Sequence, residues 1–161
     1  MASRLPLAPG QLFSFDDVNL AYAMGEFDPR LSMPQPPGYP LFVLESRILS
    51  WLRFKRPESN LLALALLSST AAVVGLAWFG NRLLGSDAGL CGAWLLLFHH
   101  SLWYSGLTSA LRPHLAVVSV VVAAACWRAW QGERRWLYGS AVALGLGAGI
   151  RPELGPLLLP L

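Results

Sequence analysis

The residues with the most chemistry to offer come early, at Phe15-Asp16-Asp17, where two adjacent carboxylates follow an apolar lead-in. At a membrane–water boundary a partly desolvated carboxylate holds its proton to higher pH and can act as a general base, and a pair can share a divalent cation. Asp16 and Asp17 are therefore the candidate catalytic residues and, if a metal is used, its candidate ligands. The pair has a plainer reading too, in which it only caps the helix that follows.

A second group is Pro34-Gln35-Pro36-Pro37-Gly38-Tyr39-Pro40. Consecutive prolines hold an extended backbone, and Gly38 supplies a turn beside an aromatic ring. Such a loop presents Gln35 and Tyr39 as a substrate wall would; a simple connector between two surface helices is the other reading. Two later polar turns carry Thr108, Arg112 and His114, then Arg151 and Glu153. Cations at a membrane face can bind the phosphate of a lipid-linked substrate, or serve as anchors and local ion pairs. His99 and His100 stand inside an apolar run with no Cys or carboxylate at ligand spacing, so no metal or catalytic role is assigned to them. Cys91 and Cys126 read as small packing side chains.

The elements that must position these residues follow from composition. Of 161 residues, 55% are hydrophobic and 13% charged, against about 25% charged in an average soluble domain. That excludes an ordinary soluble enzyme domain. Residues 1–60 hold 12 of the 21 charged side chains and 8 of the 12 prolines. The chain is thus a polar head followed by an apolar body. The net charge of +3 is scattered without a basic stripe, which excludes nucleic-acid binding, since that needs clustered cations.

A membrane-crossing helix needs about 20 apolar residues, because hydrocarbon offers its backbone no partner but itself. Charge-free runs predict an all-α, polytopic body with spans at about 59–81, 88–111, 113–130 and 136–150, and a fifth starting at 154. Residues 1–58 form the polar segment that precedes the first span. Gly139, Gly145 and Gly149 would let the fourth span approach a neighbour closely. Trp78, Trp127, Trp130 and Trp136 sit at span ends beside Arg82, Arg128, Arg134 and Arg135, an aromatic and basic signature of the cytoplasmic side. The head and the turns around Arg112 and Arg151 then face the other side. Against this stands the Arg53, Lys55, Arg56 cluster, and cation counting alone leaves the orientation open.

Within the head, Ser14 is a plausible N-cap for a helix over Phe15–Glu26, with Asp16 and Asp17 in its first turn. Residues 27–40 are too rich in proline for a helix. Leu41–Phe54 predicts an amphipathic helix along the interface, with Leu41, Leu44, Ile48, Trp51 and Leu52 near one face. Met1–Gly10 lacks the apolar core of a signal peptide. The abrupt start and the unfinished run at Leu154–Leu161 suggest a fragment of a longer membrane protein.

In combination these pieces resemble the amino-terminal part of the polytopic GT-C glycosyltransferases. The order is Asp16-Asp17, Asn19 and Tyr22, Phe27-Asp28-Pro29, the Gln35-to-Pro40 loop, an amphipathic helix and a train of spans. The likeness is to the bacterial branch that groups protein O-mannosyltransferases, the lipid A aminoarabinose transferase and rhizobial lipopolysaccharide glycosyltransferases. It implies that Asp16 is the carboxylate that activates the acceptor hydroxyl and that Asp17 shapes the polar site. Leu111-Arg112-Pro113 matches a turn near the donor phosphate, although some relatives carry an acidic residue where Arg112 stands. Gln35 stands where many have His or Lys. Arg151-Pro152-Glu153 resembles a later polar turn.

The resemblance further implies a multi-pass protein of the bacterial inner membrane with residues 1–58 in the periplasm. Its donor would be a polyprenyl-phosphate-linked sugar, transferred with inversion to a lipid, glycan or protein acceptor. Gln35, Tyr39, Arg112, His114, Arg151 and Glu153 are the expected substrate-binding residues. No cofactor is assigned with certainty, and a divalent cation is an option. The competing expectation is a non-catalytic polytopic protein, such as part of a transporter or flippase or a scaffold subunit, which would place broken helices near the bilayer midplane.

Overall fold

The computed structural model describes residues 6–12, 14–52, 54–109 and 111–159, so Arg53 of the basic cluster, the first five residues and the last two lie outside it. The chain is all-helical, as its hydropathy pattern predicts. Two α-helices are described in the head, α1 at Phe15–Gly25 and α2 at Pro40–Leu52, with a 3-10 turn at Pro29–Leu31 between them. The body runs α3 Pro57–Leu84, α4 Ser86–Phe98, α5 His100–Thr108, α6 Arg112–Trp130, α7 Arg135–Ile150 and α8 Leu154–Leu158.

Among the described residues, α3 and α6 are long and apolar enough to cross a membrane. With 28 residues α3 rises about 42 Å, beyond the ~30 Å of a hydrocarbon core. The other body helices are shorter, α7 having 16 residues and α4 having 13. Many large apolar side chains stay exposed along the body, among them Leu67, Val74, Leu95, Val142 and Leu146. In water such a surface would be a liability, whereas in lipid it is solvated.

α3 is the hub, packing against α1, α2, α4, α5 and α6. Its crossing with α4 is the tightest: Gly89 lies against the backbone of Asn81 and the carbonyl of Ala77, where any side chain would push the helices apart. Of the three glycines expected to allow close approach, only Gly149 meets another helix, at Leu41 of α2. Gly139 touches only Trp136 of its own helix, and Gly145 meets nothing. Gly147, against Val118 and Leu154, does that work instead. Helical spacing cannot say which face of a helix will be packed.

The run at 88–111 is not one helix. It breaks at His99, whose backbone is extended at φ −63° and ψ 125°. Hydropathy measures how apolar a run is and carries no signal for one extended residue within it. Beyond the break, α5 buries Leu102, Ser105 and Gly106 and packs against α3 and α6. Phe98 stacks between Trp94 and Trp103, with ring centroids 5.4 and 6.2 Å away.

The head docks on the start of α3. Leu20 and Ala23 of α1, Phe42 and Val43 of α2, and Leu61 and Leu64 of α3 form one buried cluster that also takes in Leu111. Burying a side chain such as Phe42 is worth roughly 1.5–3 kcal/mol. Arg47 of α2 donates to the carbonyls of Ala23 and Met24 at 3.1 and 3.2 Å, a cation placed at the negative end of α1. The buried Asn60 amide donates to Ser46 O at 2.8 Å and Phe54 O at 3.2 Å, fastening the end of α2 to α3. On α2, Leu44, Ile48, Trp51 and Leu52 remain exposed while Phe42, Val43 and Ser46 face the core. The helix therefore has one apolar side packed and one turned outward, as an interfacial element requires.

Candidate active site

Ser14 caps α1, its Oγ accepting from the Asp17 N–H at 3.1 Å and donating to Asp17 Oδ2 at 2.8 Å. Asp17 is buried, and it lines a small, partly open cavity of about 30 Å³ with Glu58, Leu61 and Thr108. Asp16, one residue earlier, is exposed. Its Oδ1 accepts a 2.6 Å hydrogen bond from Gln35 Nε2, and Gln35 Oε1 accepts from Asn19 Nδ2 at 3.2 Å. Adjacent positions on a helix point about 100° apart, so the two carboxylates take different partners and different surroundings. They do not converge as a shared cation site would need. Among the described residues no group of three or more His, Cys, Asp or Glu is arranged to hold a metal.

The loop that delivers Gln35 turns where its glycine stands. The Gly38 N–H donates to Gln35 O at 3.0 Å, with Gly38 at φ 103°, a backbone region that glycine enters at little cost. Tyr39 follows at φ 44°, half-buried beneath the loop. Burial raises the pKa of its phenol above the ordinary value; the Arg151 cation opposes this, while the carboxylates of Asp16 and Glu153 reinforce it. Tyr39, Arg151, Asp16 and Glu153 thus share one electrostatic neighbourhood. Arg151 is steadied by Glu153, whose Oε2 accepts from Nε at 2.9 Å.

From Arg151 the site opens into a cleft of about 380 Å³, which Arg112 also lines together with His99, Ser101 and Ser105. Arg112 is exposed and has no carboxylate partner among the described residues. The site is therefore a bonded carboxylate, a phenol and two guanidinium groups beside an open cleft. Such a set can take a proton from a hydroxyl at one end and stabilise an anion at the other.

His114 stands apart. It is buried, with Nε2 3.1 Å from Glu45 Oε2 and its ring edge-on to Phe42 at 5.3 Å between centroids. It ties α6 to α2 and does not line the cleft. Of the residues expected at the site, Asp16, Gln35, Tyr39, Arg151 and Glu153 are linked by hydrogen bonds or electrostatics and Arg112 shares the cleft with Arg151, whereas Asp17 faces a separate small cavity and His114 pairs with Glu45. The cleft also takes in Ser101, which the sequence did not single out, and His99, to which the sequence assigned no role. A His in an apolar run was the one available signal, and it pointed to no partner because the partners come from other helices.

Among the described residues the chain is all-helical, two helices are long and apolar enough to cross a membrane, and these groups gather at the end of the bundle where the head docks. Residues 27–161 match the family described as Protein O-mannosyl-transferase TMEM260 N-terminal domain, and the chain belongs to that family. It is thus the N-terminal region of an O-mannosyltransferase-like glycosyltransferase. The matched stretch includes Gln35, Tyr39, Arg112 and Arg151, whereas Asp16 and Asp17 precede it. No curated protein and no solved structure matches the chain.

Proposed function

We propose that the chain is the donor-facing and acceptor-activating part of a GT-C-type transferase in a bacterial inner membrane, with the head at the periplasmic face. Its donor is a polyprenyl-phosphate-linked sugar and its acceptor a hydroxyl of a lipid, glycan or protein. Asp16 takes the acceptor proton as the acceptor oxygen attacks the anomeric carbon. The bond from that carbon to the phosphate oxygen breaks with inversion, and its electron pair stays on the lipid phosphate. Arg112 and Arg151 stabilise the charge that builds there. Gln35 holds the Asp16 carboxylate, Tyr39 and Glu153 frame Arg151, and Asp17 and His114 brace the site from behind. A divalent cation, if used, would sit at Asp16.

The observation that carries this reading is the Gln35–Asp16 bond, which fixes an exposed carboxylate in the same electrostatic neighbourhood as Arg151. The test is Asp16→Asn in the full-length protein, with sugar transfer from a polyprenyl-phosphate donor measured in membranes. Transfer should fall roughly 10²–10⁴-fold with membrane insertion intact. Undiminished transfer would remove Asp16 from the mechanism. One observation favours a second reading, a non-catalytic lipid-handling protein: the helix break at His99 is the kind of feature transporters place at a ligand site. Substrate-dependent lipid movement by reconstituted protein without sugar transfer would select it.

A further inference from the structure

The break between α4 and α5 has a cost that something must offset. α4 rises about 20 Å from the end of the bundle opposite the head before it stops, so the break lies at membrane depth. Irregular backbone there is tolerated only where it is buried in protein or lines a polar cavity. His99 is exposed, and it lines the cleft that also holds Arg112, Arg151 and Ser101. Apart from Ser105, the remaining wall of that cleft is apolar, formed by Leu96, Leu102, Leu115 and Ala116. One rim therefore offers cations and hydrogen-bond donors, and the wall offers hydrocarbon. The ligand that fits both is an anion with an apolar tail.

We propose that His99 is a third donor to a lipid-phosphate anion held between Arg112 and Arg151, and that the α4–α5 break exists to present it. An uninterrupted helix would leave an imidazole in hydrocarbon with no task. Broken at this residue, the chain places His99 and Ser101, at the start of α5, in the wall of the cleft that the two guanidinium groups also line. His99 then contributes one directed N–H to a phosphate oxygen, and the arginines supply fixed charge. This rests on the reading of the cleft as the donor-phosphate site and adds a residue from a helix not otherwise assigned to it.

The test is binding of farnesyl phosphate to the full chain in lipid nanodiscs, with inorganic phosphate and farnesol as separate probes. Farnesyl phosphate should bind more tightly than either. His99→Ala should weaken it on the order of 10- to 100-fold, the size of one lost charge-assisted hydrogen bond. His99→Gln, which keeps an N–H donor, should recover most of the loss. Arg128→Ala, at the far end of the bundle, should bind as the unaltered chain does. Equal affinity in His99→Ala, or no farnesyl phosphate binding at all, overturns the proposal. Inorganic phosphate binding as tightly as farnesyl phosphate overturns the tailed ligand. Since the assay reads binding alone, undiminished transfer in Asp16→Asn would leave its result standing, and the two failures are separable.

Discussion

At the head end of the bundle, Gln35 reaches back 19 positions to Asp16, and His114 meets Glu45 across 69. At the opposite end Glu133 holds Arg135 and Trp136, only two and three residues along, with hydrogen bonds of 3.1 and 2.9 Å. Arg128 lies 4.8 Å from the Trp136 ring centroid, across a single turn. The far end uses its polar residues on their neighbours, so it needs little besides its own segment and the interface. The head end keeps one local pair, Arg151 with Glu153, but otherwise draws its partners from distant parts of the chain and still leaves Arg112 and His99 facing an open cleft. Charged groups satisfied locally anchor a helix end. Charged groups brought together from afar, and left facing a cavity, are available to a ligand.

This contrast can be broken in several ways. The largest effect after Asp16→Asn is expected from Phe42→Ala, which hollows the cluster joining α1, α2, α3 and Leu111. It should cost about 3–5 kcal/mol, read as a drop in denaturant resistance, and transfer should fall with it as the head loosens. Head-end chemistry surviving that loss would show that the site does not depend on the shared core. Next is Glu45→Ala, which takes the carboxylate from the buried His114 and should cost about 1–3 kcal/mol. Glu45→Gln should restore most of it in the same unfolding measurement.

At the far end, Arg128→Ala removes the contact over Trp136 and a cation beside Glu133. A loss of about 0.5–1 kcal/mol is expected, with sugar transfer unchanged. A large fall in transfer would mean that the far end is more than an anchor. The smallest effect concerns pH. The Tyr39 pKa is raised in the folded chain, so its contribution is complete below the ordinary tyrosine value. It is lost as pH rises through the raised value. Spectrophotometric titration should show one tyrosine ionising late, and Tyr39→Phe should remove that step. If no step lies above the ordinary value, the Tyr39 environment is wrongly drawn.

Much of the local structure could be read from neighbouring residues. Ser14 before Asp16 and Asp17 marks the start of α1, since a cap side chain accepts from the N–H three residues along. The apolar runs and the Trp–Arg pairs mark where the body helices begin and end. What could not be read was which side chains would meet. Asp16 and Asp17 look like one pair and belong to two environments. Arg47 gives no local sign that it closes α1, because the carbonyls it binds lie more than 20 positions away. Nor does anything near His99 announce a break that is justified only by Arg112 and Arg151 from other helices.

The sequence by itself determined that this is an all-helical protein with a polar head and a body suited to a membrane. That information is carried by composition and by the length of apolar runs. Only the tertiary structure decided that Asp16 and not Asp17 faces outward, that Gln35 holds it, and that two arginines and a histidine share one cleft. Helix formation depends on residues three or four apart, whereas a site depends on the faces that helices turn to one another once the core has closed.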